Sequence, residues 1–231
     1  MYKNNLPEEH IFQNVDDENC GPACLAMAYR ILGKKVDVEE ILKDLKIKKK
    51  GRPTFPPELA GHLLRNNIKT RLIISSPRII SPAWADLNNK ELVKNLEVWL
   101  ALQKNHRAIM YKFAKQLVPY VKSGGVVELK SYSSSDLKEM LDNGSLLILC
   151  VDEVWLWGHR LISFTSKIDE FKGKSSGHYV LVKSYHGDKF EVYDPFPTKI
   201  PERNGIYWID QNQLLNASLI WAATVLEIEN K

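Results

Sequence analysis

A cysteine lies where a polar, acidic stretch changes to an apolar, alanine-rich run, in the sequence DDENCGPACLAMAYRILG at 16–33. Pro22 suits the first turn of a helix, because its missing N–H would have no partner there. Cys20 is therefore predicted at or next to the N-cap, where the free amide groups carry about half a positive charge. This field favours thiolate over thiol and makes Cys20 a candidate nucleophile, whereas Cys24, one turn further on, should point into the core.

A nucleophilic cysteine needs a base and a group that orients the base. His178 opens the predicted strand GHYVLVKSY, and Asp194 closes the next one, KFEVYDP, sixteen residues later. A three-residue hairpin loop centred on Gly187 would place Asp194 opposite Val180, and so diagonal to His178 on one face, roughly 7–8 Å apart. A two-residue loop would place them on opposite faces. Each residue alone also fits a structural role; together with Cys20 they predict a nucleophile, base and orienter.

Helical patterns fill the first two thirds of the chain, and strand patterns dominate the remainder. Predicted helices cover 20–32, 36–46, 56–67, 133–144 and 210–218, with two more in 83–122 that break near 104–107. Predicted strands cover 69–75, 145–154, 177–185, 189–195, 205–210 and 220–229. This order predicts one α+β domain over 1–231, in which helices pack on a mainly antiparallel sheet. Residues 34–144 are predicted to form a helical elaboration between the Cys20 helix and the core sheet.

The three blocks NCGPACLAMAYRILG, GHYVLVKSY and FEVYDP together resemble the peptidase C39-like family of papain-fold cysteine peptidases. The resemblance implies a papain-like fold and a triad of Cys20 as nucleophile, His178 as general base and acid, and Asp194 as orienter of the imidazole. It also implies that Gln13 donates to the oxyanion, although Asn14 or Asn19 would be alternative donors beside the backbone N–H of Cys20. Asn19 stands where the family usually has aspartate.

Two tryptophans, Trp155 and Trp157, follow the predicted buried strand in DEVWLWGHRLISF at 152–164. The pattern fits core packing, and it also fits a wall of the substrate cleft. We expect both residues to contact substrate.

Composition narrows the classes of function. The 231 residues carry a net charge of +4, which is too mild to predict nucleic-acid binding, and the basic run at 46–52 is interpreted as a solvated loop. Three cysteines, an odd number, favour free thiols in a reducing compartment, and the N-terminus shows no signal-peptide pattern, so a cytoplasmic location is expected. No apolar run is long enough to span a membrane. No metal or other cofactor is expected, since the Cys20/Cys24 pair lacks further ligands.

The predicted activity is thiol-dependent cleavage of an acyl bond in a peptide or another acyl substrate, through a thioester on Cys20. Attack of water on the thioester would make the protein a peptidase or amidase. Attack of an amine would make it an acyltransferase, and a catalytically inactive binding module with the same fold is the remaining alternative.

Overall fold

A single seven-stranded sheet organises the computed structural model, which describes residues 6–230. Its strands are β1 (Thr70–Ile74), β2 (Val126–Leu129), β3 (Leu146–Asp152), β4 (Gly177–His186), β5 (Lys189–Tyr193), β6 (Ile206–Asp210) and β7 (Thr224–Ile228). They lie in the order β2-β1-β7-β3-β4-β5-β6. Only the pair of β1 and β2 is parallel; the other neighbouring pairs are antiparallel. The sheet is thus mainly antiparallel, as predicted.

Eight α-helices cover the two faces of this sheet within the described residues. They are α1 (Cys20–Ile31), α2 (Val38–Asp44), α3 (Pro56–Arg65), α4 (Asn89–Leu102), α5 (Ile109–Lys122), α6 (Ser134–Asp142), α7 (Glu153–Trp157) and α8 (Gln211–Trp221). The first five form one core with one face, and the last three form a second core with the other. Side chains of β3 alternate between the two cores, as the period of two requires. None of these helices combines the length and the apolar character needed to cross a bilayer.

The segment 34–144 contains more than the predicted helices. The break within 83–122 falls between α4 and α5, and no strand interrupts that stretch. However, β1 and β2 both lie in 34–144 and form one edge of the shared sheet. The strand β1 was predicted, whereas β2 was not, because VVEL follows two glycines and is only four residues long.

Two strands are shorter than predicted, because a neighbouring helix occupies part of the predicted range. The strand predicted over 145–154 stops at Asp152, whose side chain accepts a 2.9 Å hydrogen bond from the backbone N–H of Trp155 and so caps α7. The strand predicted over 220–229 starts only at Thr224, because α8 continues to Trp221. Both differences arise from helix ends, which periodicity alone defines poorly.

The hairpin of β4 and β5 differs from the predicted one in its turn and agrees with it in register. The turn has two residues, since His186 pairs with Lys189. A β-bulge between Val182 and Ser184 then adds one residue to β4, so that Leu181 pairs with Tyr193. The bulge shifts the register to that of a three-residue loop. His178 and Asp194 therefore share a face.

Candidate active site

Cys20 is the first residue of α1 and is partly exposed, whereas Cys24 and Cys150 are buried. Asn19, at the N-cap, makes no side-chain capping bond, and the first turn carries no acidic residue. The amide groups at this helix end therefore keep their partial positive charge close to the Cys20 sulfur.

A sulfur contact fixes α1 on β4. Cys24 Sγ donates to the carbonyl oxygen of Tyr179 at 3.4 Å, one helical turn after Cys20 and one residue after His178. The contact joins α1 and β4 one turn after Cys20 and one residue after His178, so the two candidate groups lie on adjoining elements. Burial raises the pKa of Cys24, with the nearby Cys20 adding to the shift, and it raises the pKa of Cys150 to about 12.

His178 and Asp194 form a buried pair. His178 Nε2 lies 2.7 Å from Asp194 Oδ1, and both side chains are almost completely shielded from solvent. Since Nε2 is used in this hydrogen bond, Nδ1 is the ring nitrogen left for Cys20.

Asp194 accepts three further hydrogen bonds in addition to that of His178. Trp157 Nε1 donates to Oδ2 at 2.9 Å, and the hydroxyl of Tyr207 donates to Oδ2 at 2.8 Å. The backbone N–H of Phe196 donates to Oδ1 at 2.9 Å. Four donors thus surround one fully buried carboxylate and compensate for the loss of water around it.

The charge state of His178 follows from this pair. Burial alone would lower its pKa, but the charge of Asp194, the hydrogen bond to Asp194 and the neighbouring Cys20 together raise the pKa of His178 to about 10. The imidazole is consequently protonated at neutral pH. A protonated imidazole beside a thiol favours the thiolate form of that thiol.

Glu153 is a second carboxylate close to the pair, at the first position of α7. Its backbone N–H donates to the carbonyl oxygen of Ser176 at 3.0 Å, two positions along the ladder from the pair of Val151 and His178. Burial raises the pKa of Glu153 to about 7; His178 opposes this shift, and the charges of Asp152 and Asp194 add to it. The sequence alone offered no signal for this group.

Gln13 lies along the turn that follows Asp194. Its backbone N–H donates to the carbonyl oxygen of Pro195 at 2.8 Å, and its Nε2 donates to the carbonyl oxygen of Asp17 at 3.1 Å. Its Oε1 is buried without a hydrogen-bond partner among the described residues. Of the alternative donors, Asn14 Nδ2 contacts Asp17 Oδ2 at 3.2 Å, and Asn19 Nδ2 donates to the carbonyl oxygen of Lys49 at 2.9 Å.

The basic run at 46–52 has a structural role that its charge did not indicate. Its lysine side chains face solvent, but its backbone holds the turn before Cys20 through the Lys49 contact and a bridge between Glu18 and Gly51. Gly51 has φ of 77° and lies directly against Glu18 and Asn19, where any Cβ would collide.

The two tryptophans have different environments. Trp155 is 48% exposed, and its contact with substrate stays a prediction. Trp157 is 4% exposed, packs against the rings of His178 and Phe196, and donates to Asp194. Its buried position does not fit the expected role in the wall of a cleft; its indole instead positions the carboxylate. The second partner, Tyr207, was missed because nothing in GIYWID distinguishes it from a core tyrosine.

Comparisons with known proteins identify the fold and the family. The model of the Peptidase_C39 like family matches residues 6–225. A solved structure described as a C39-like peptidase from Bacillus anthracis has a TM-score of 0.50 and 11% identity to this chain, covering 97% of this chain and 94% of that one. A second solved structure is the peptidase domain of Streptococcus ComA, a bi-functional ABC transporter involved in a quorum-sensing pathway. It has a TM-score of 0.44 and 12% identity to this chain, covering 96% of this chain and 99% of that one. No curated protein matches at a significant level. The predicted α+β, papain-like fold is confirmed.

Proposed function

This chain belongs to the peptidase C39-like family, and we propose that it is a cysteine peptidase or amidase that uses Cys20, His178 and Asp194 as a catalytic triad. The observation that carries the proposal is the buried 2.7 Å hydrogen bond between His178 Nε2 and Asp194 Oδ1, next to the helix start that bears Cys20. A base fixed by a carboxylate beside a nucleophile is the arrangement that thiol catalysis needs.

In the proposed reaction, the Cys20 thiolate attacks the carbonyl carbon of the scissile bond, and the carbonyl oxygen becomes an oxyanion. His178, which carries a proton at neutral pH, transfers it from Nδ1 to the leaving nitrogen, and the bond from carbon to nitrogen breaks. A thioester on Cys20 remains. His178 then takes a proton from water, the resulting hydroxide equivalent attacks the thioester, and a carboxylic acid leaves as the thiolate re-forms.

The oxyanion is proposed to be stabilised by the backbone N–H of Cys20 and by the amide of Gln13. The attachment of Gln13 to Pro195 supports this role, because it holds the residue along the turn after Asp194. Asn14 and Asn19 remain alternative donors. A reducing compartment such as the cytoplasm is proposed from the three free cysteines, since a nucleophilic thiolate must stay reduced.

The test uses a peptidyl vinyl sulfone, which forms a thioether with an activated thiolate. Wild type should gain one adduct on Cys20 at pH 7, and Cys20→Ala should gain none. Cys24→Ala is the matched control, since it removes a thiol from the same helix and should keep the adduct. His178→Ala should react at least about a hundredfold more slowly. Labelling at Cys24 or Cys150 in place of Cys20 would contradict the proposal.

The fate of the thioester is tested with a mixture of peptides in H₂¹⁸O. A hydrolase incorporates ¹⁸O into new C-termini, and the cleavage disappears in Cys20→Ala. An acyltransferase instead joins the acyl group to an added amine such as glycinamide. A folded protein that labels at Cys20 but gives neither product would be a binding module, and the proposed activity would be wrong.

A further inference from the structure

An ordered loop, residues 158–176, leads directly into the strand that bears His178. Its backbone folds back on itself, since Asp169 N–H donates to the Arg160 carbonyl oxygen at 3.0 Å and Ile162 N–H donates to that of Lys167 at 3.0 Å. Leu161 also forms bridges to both Ile168 and Lys174. The backbone of the loop therefore has a defined shape, which fixes the positions from which its side chains project.

Three large apolar side chains of the 158–176 loop are exposed to solvent. They are Phe171, which is 96% exposed, Phe164 at 58% and Ile168 at 40%. Single exposed apolar residues are ordinary on protein surfaces, but three on one short loop are a feature of interaction sites.

The exposure of Phe171 results from the way its turn is built. Asp169 Oδ1 accepts from the backbone N–H of Phe171 at 3.1 Å and from that of Lys172 at 2.9 Å. Gly173 N–H closes the turn on the Asp169 carbonyl oxygen at 2.8 Å. The backbone of Phe171 is thus fixed while its ring has almost no contact with its own chain. A ring this exposed does not line a concave pocket of its own chain.

The loop also carries exposed positive charge on its lysine side chains. Lys167, Lys172 and Lys174 are exposed, and none of them forms an ion pair with any residue in 6–230. Both acidic residues of the loop are already engaged, Asp169 by the backbone N–H groups of its turn and Glu170 by His159 at 2.8 Å. The same loop therefore carries three exposed lysines without ion pairs in 6–230 and three exposed apolar side chains.

We propose that the 158–176 loop docks on the surface of an anionic lipid bilayer, with Phe164, Ile168 and Phe171 inserted among the acyl chains and headgroups and the lysines placed at the anionic headgroups. A fluid interface accepts projecting aromatic side chains without a matching cavity, and lysines add electrostatic attraction to anionic lipid. An acidic protein would satisfy the lysines but would need a complementary pocket for a ring as exposed as that of Phe171.

Docking would bring the first residues of β4, which directly follow the loop and include His178, close to the bilayer surface. This consequence rests on the proposed function and directs the peptidase to substrates at that surface. The docking itself does not depend on catalysis, so a binding experiment tests it separately from the triad.

The experiment is co-sedimentation of the full chain with large vesicles. Binding is expected to vesicles that contain about 30% phosphatidylglycerol in phosphatidylcholine, to be at least about tenfold weaker with phosphatidylcholine alone, and to weaken in high salt. Phe171→Ser should weaken binding about tenfold, and its free side chain makes the substitution harmless to folding. Leu102→Ser is the matched apolar control, because Leu102 is 74% exposed at the end of α4, and it should bind like wild type.

A pair of charge reversals distinguishes this loop from the other basic segment. Lys172→Glu should weaken binding about fivefold, whereas Lys48→Glu, in the basic run at 46–52, should leave it unchanged. Absence of sedimentation with anionic vesicles would overturn the proposal. So would binding that Phe171→Ser leaves intact, or equal effects of Lys172→Glu and Lys48→Glu, since these would indicate unspecific attraction by the overall positive charge.

Discussion

The indole nitrogen of Trp157 donates a 2.9 Å hydrogen bond to Oδ2 of Asp194, the oxygen that does not contact His178. The two carboxylate oxygens thus have separate tasks. Oδ1 holds the imidazole, and Oδ2 is held by Trp157 and Tyr207, so that the direction of the carboxylate is fixed by side chains from α7 and β6. The rings of Trp157 and His178 also pack together, with centroids 5.3 Å apart.

Trp157→Phe should therefore impair both folding and catalysis. The substitution keeps most of the packing but leaves Oδ2 with one donor fewer, which should lower the unfolding free energy by about 1–3 kcal/mol. Alkylation of Cys20 by a peptidyl chloromethyl ketone, in which the thiolate displaces chloride, should slow about tenfold, mainly through a lower maximal rate of labelling. Trp155→Phe is the control: it should leave urea unfolding unchanged and affect mainly the concentration dependence of labelling. Equal unfolding curves for wild type and Trp157→Phe would contradict the positioning role.

The three cysteines should differ sharply in reactivity. Burial raises the pKa of Cys24, and it raises the pKa of Cys150 to about 12, so neither should react with iodoacetamide at pH 7 while the protein is folded. Cys20, which is partly exposed at the start of α1 beside a protonated His178, should react alone. Peptide mapping by mass spectrometry measures this directly, with urea-unfolded protein as the control in which all three thiols become labelled.

Cys24→Ala and Cys150→Ala should lower stability while leaving the Cys20 adduct intact. Cys24→Ala removes the sulfur contact to Tyr179 and leaves a small void, for a loss of about 1–2 kcal/mol. Cys20→Ala should keep the unfolding free energy within about 0.5 kcal/mol of wild type and abolish turnover. A Cys150→Ala protein that is folded but inactive would show that the nucleophile has been misassigned.

Glu153 should make stability fall as the pH rises toward neutral. Its pKa is about 7 in the folded protein, above the ordinary value of 4.5, so between these values the folded state binds more protons than the unfolded state. The penalty of ionising this partly buried carboxyl is absent below pH 4.5 and complete above pH 7.

Glu153→Gln should remove that penalty. The stability of the variant relative to wild type should increase between pH 4.5 and pH 8, by up to about 3 kcal/mol. Urea unfolding of both proteins at the two pH values measures the effect, because groups distant from Glu153 titrate alike in both. If the difference in unfolding free energy between the two proteins does not change with pH, the pKa of Glu153 is not raised in the folded protein.

Much of the site was predictable because its chemistry depends on residue type at element ends. The apolar run after Cys20 and the strand pattern around His178 placed these two residues correctly at a helix start and a strand start, whereas Asp194, predicted to close the next strand, lies one residue beyond the end of β5. The shared face of His178 and Asp194 was also predicted, but from a three-residue turn that does not exist.

The register depends on the bulge at Lys183, which offers no local signal. Lys183 looks like any polar strand residue, yet it is the extra residue that offsets the two-residue turn. A one-residue change of register would move the whole strand face, so the face of the site depends on a feature visible only when both strands are paired. The donors to Asp194 were hidden for the same reason, since Trp157 and Tyr207 are distant from it in sequence and approach it only through packing.

The surroundings of Asp194 predict an unusual response to substitution by asparagine. In many Cys–His sites an amide can orient the imidazole, because one acceptor oxygen is enough. Here all four contacts to Asp194 come from donors, and the indole of Trp157 cannot accept a hydrogen bond. An asparagine that keeps its oxygen toward His178 must turn its NH₂ group toward the N–H of Trp157. Asp194→Asn should therefore be destabilised by about 2–4 kcal/mol and be acylated at least about a hundredfold more slowly.

Removing the opposing donor should relieve this conflict. In the double variant Asp194→Asn/Trp157→Phe, the amide NH₂ no longer faces the indole N–H and can donate to the hydroxyl oxygen of Tyr207, which is able to accept. The double variant should thus be more stable and more active than the sum of the two single effects predicts, with a coupling energy of about 1–2 kcal/mol. Asp194→Ala/Trp157→Phe is the control cycle, since alanine has no NH₂ group that could face the N–H of Trp157. Urea unfolding and single-turnover labelling of Cys20 measure both cycles. Additive effects in the asparagine cycle would show that the Trp157 N–H does not constrain the third member of the triad.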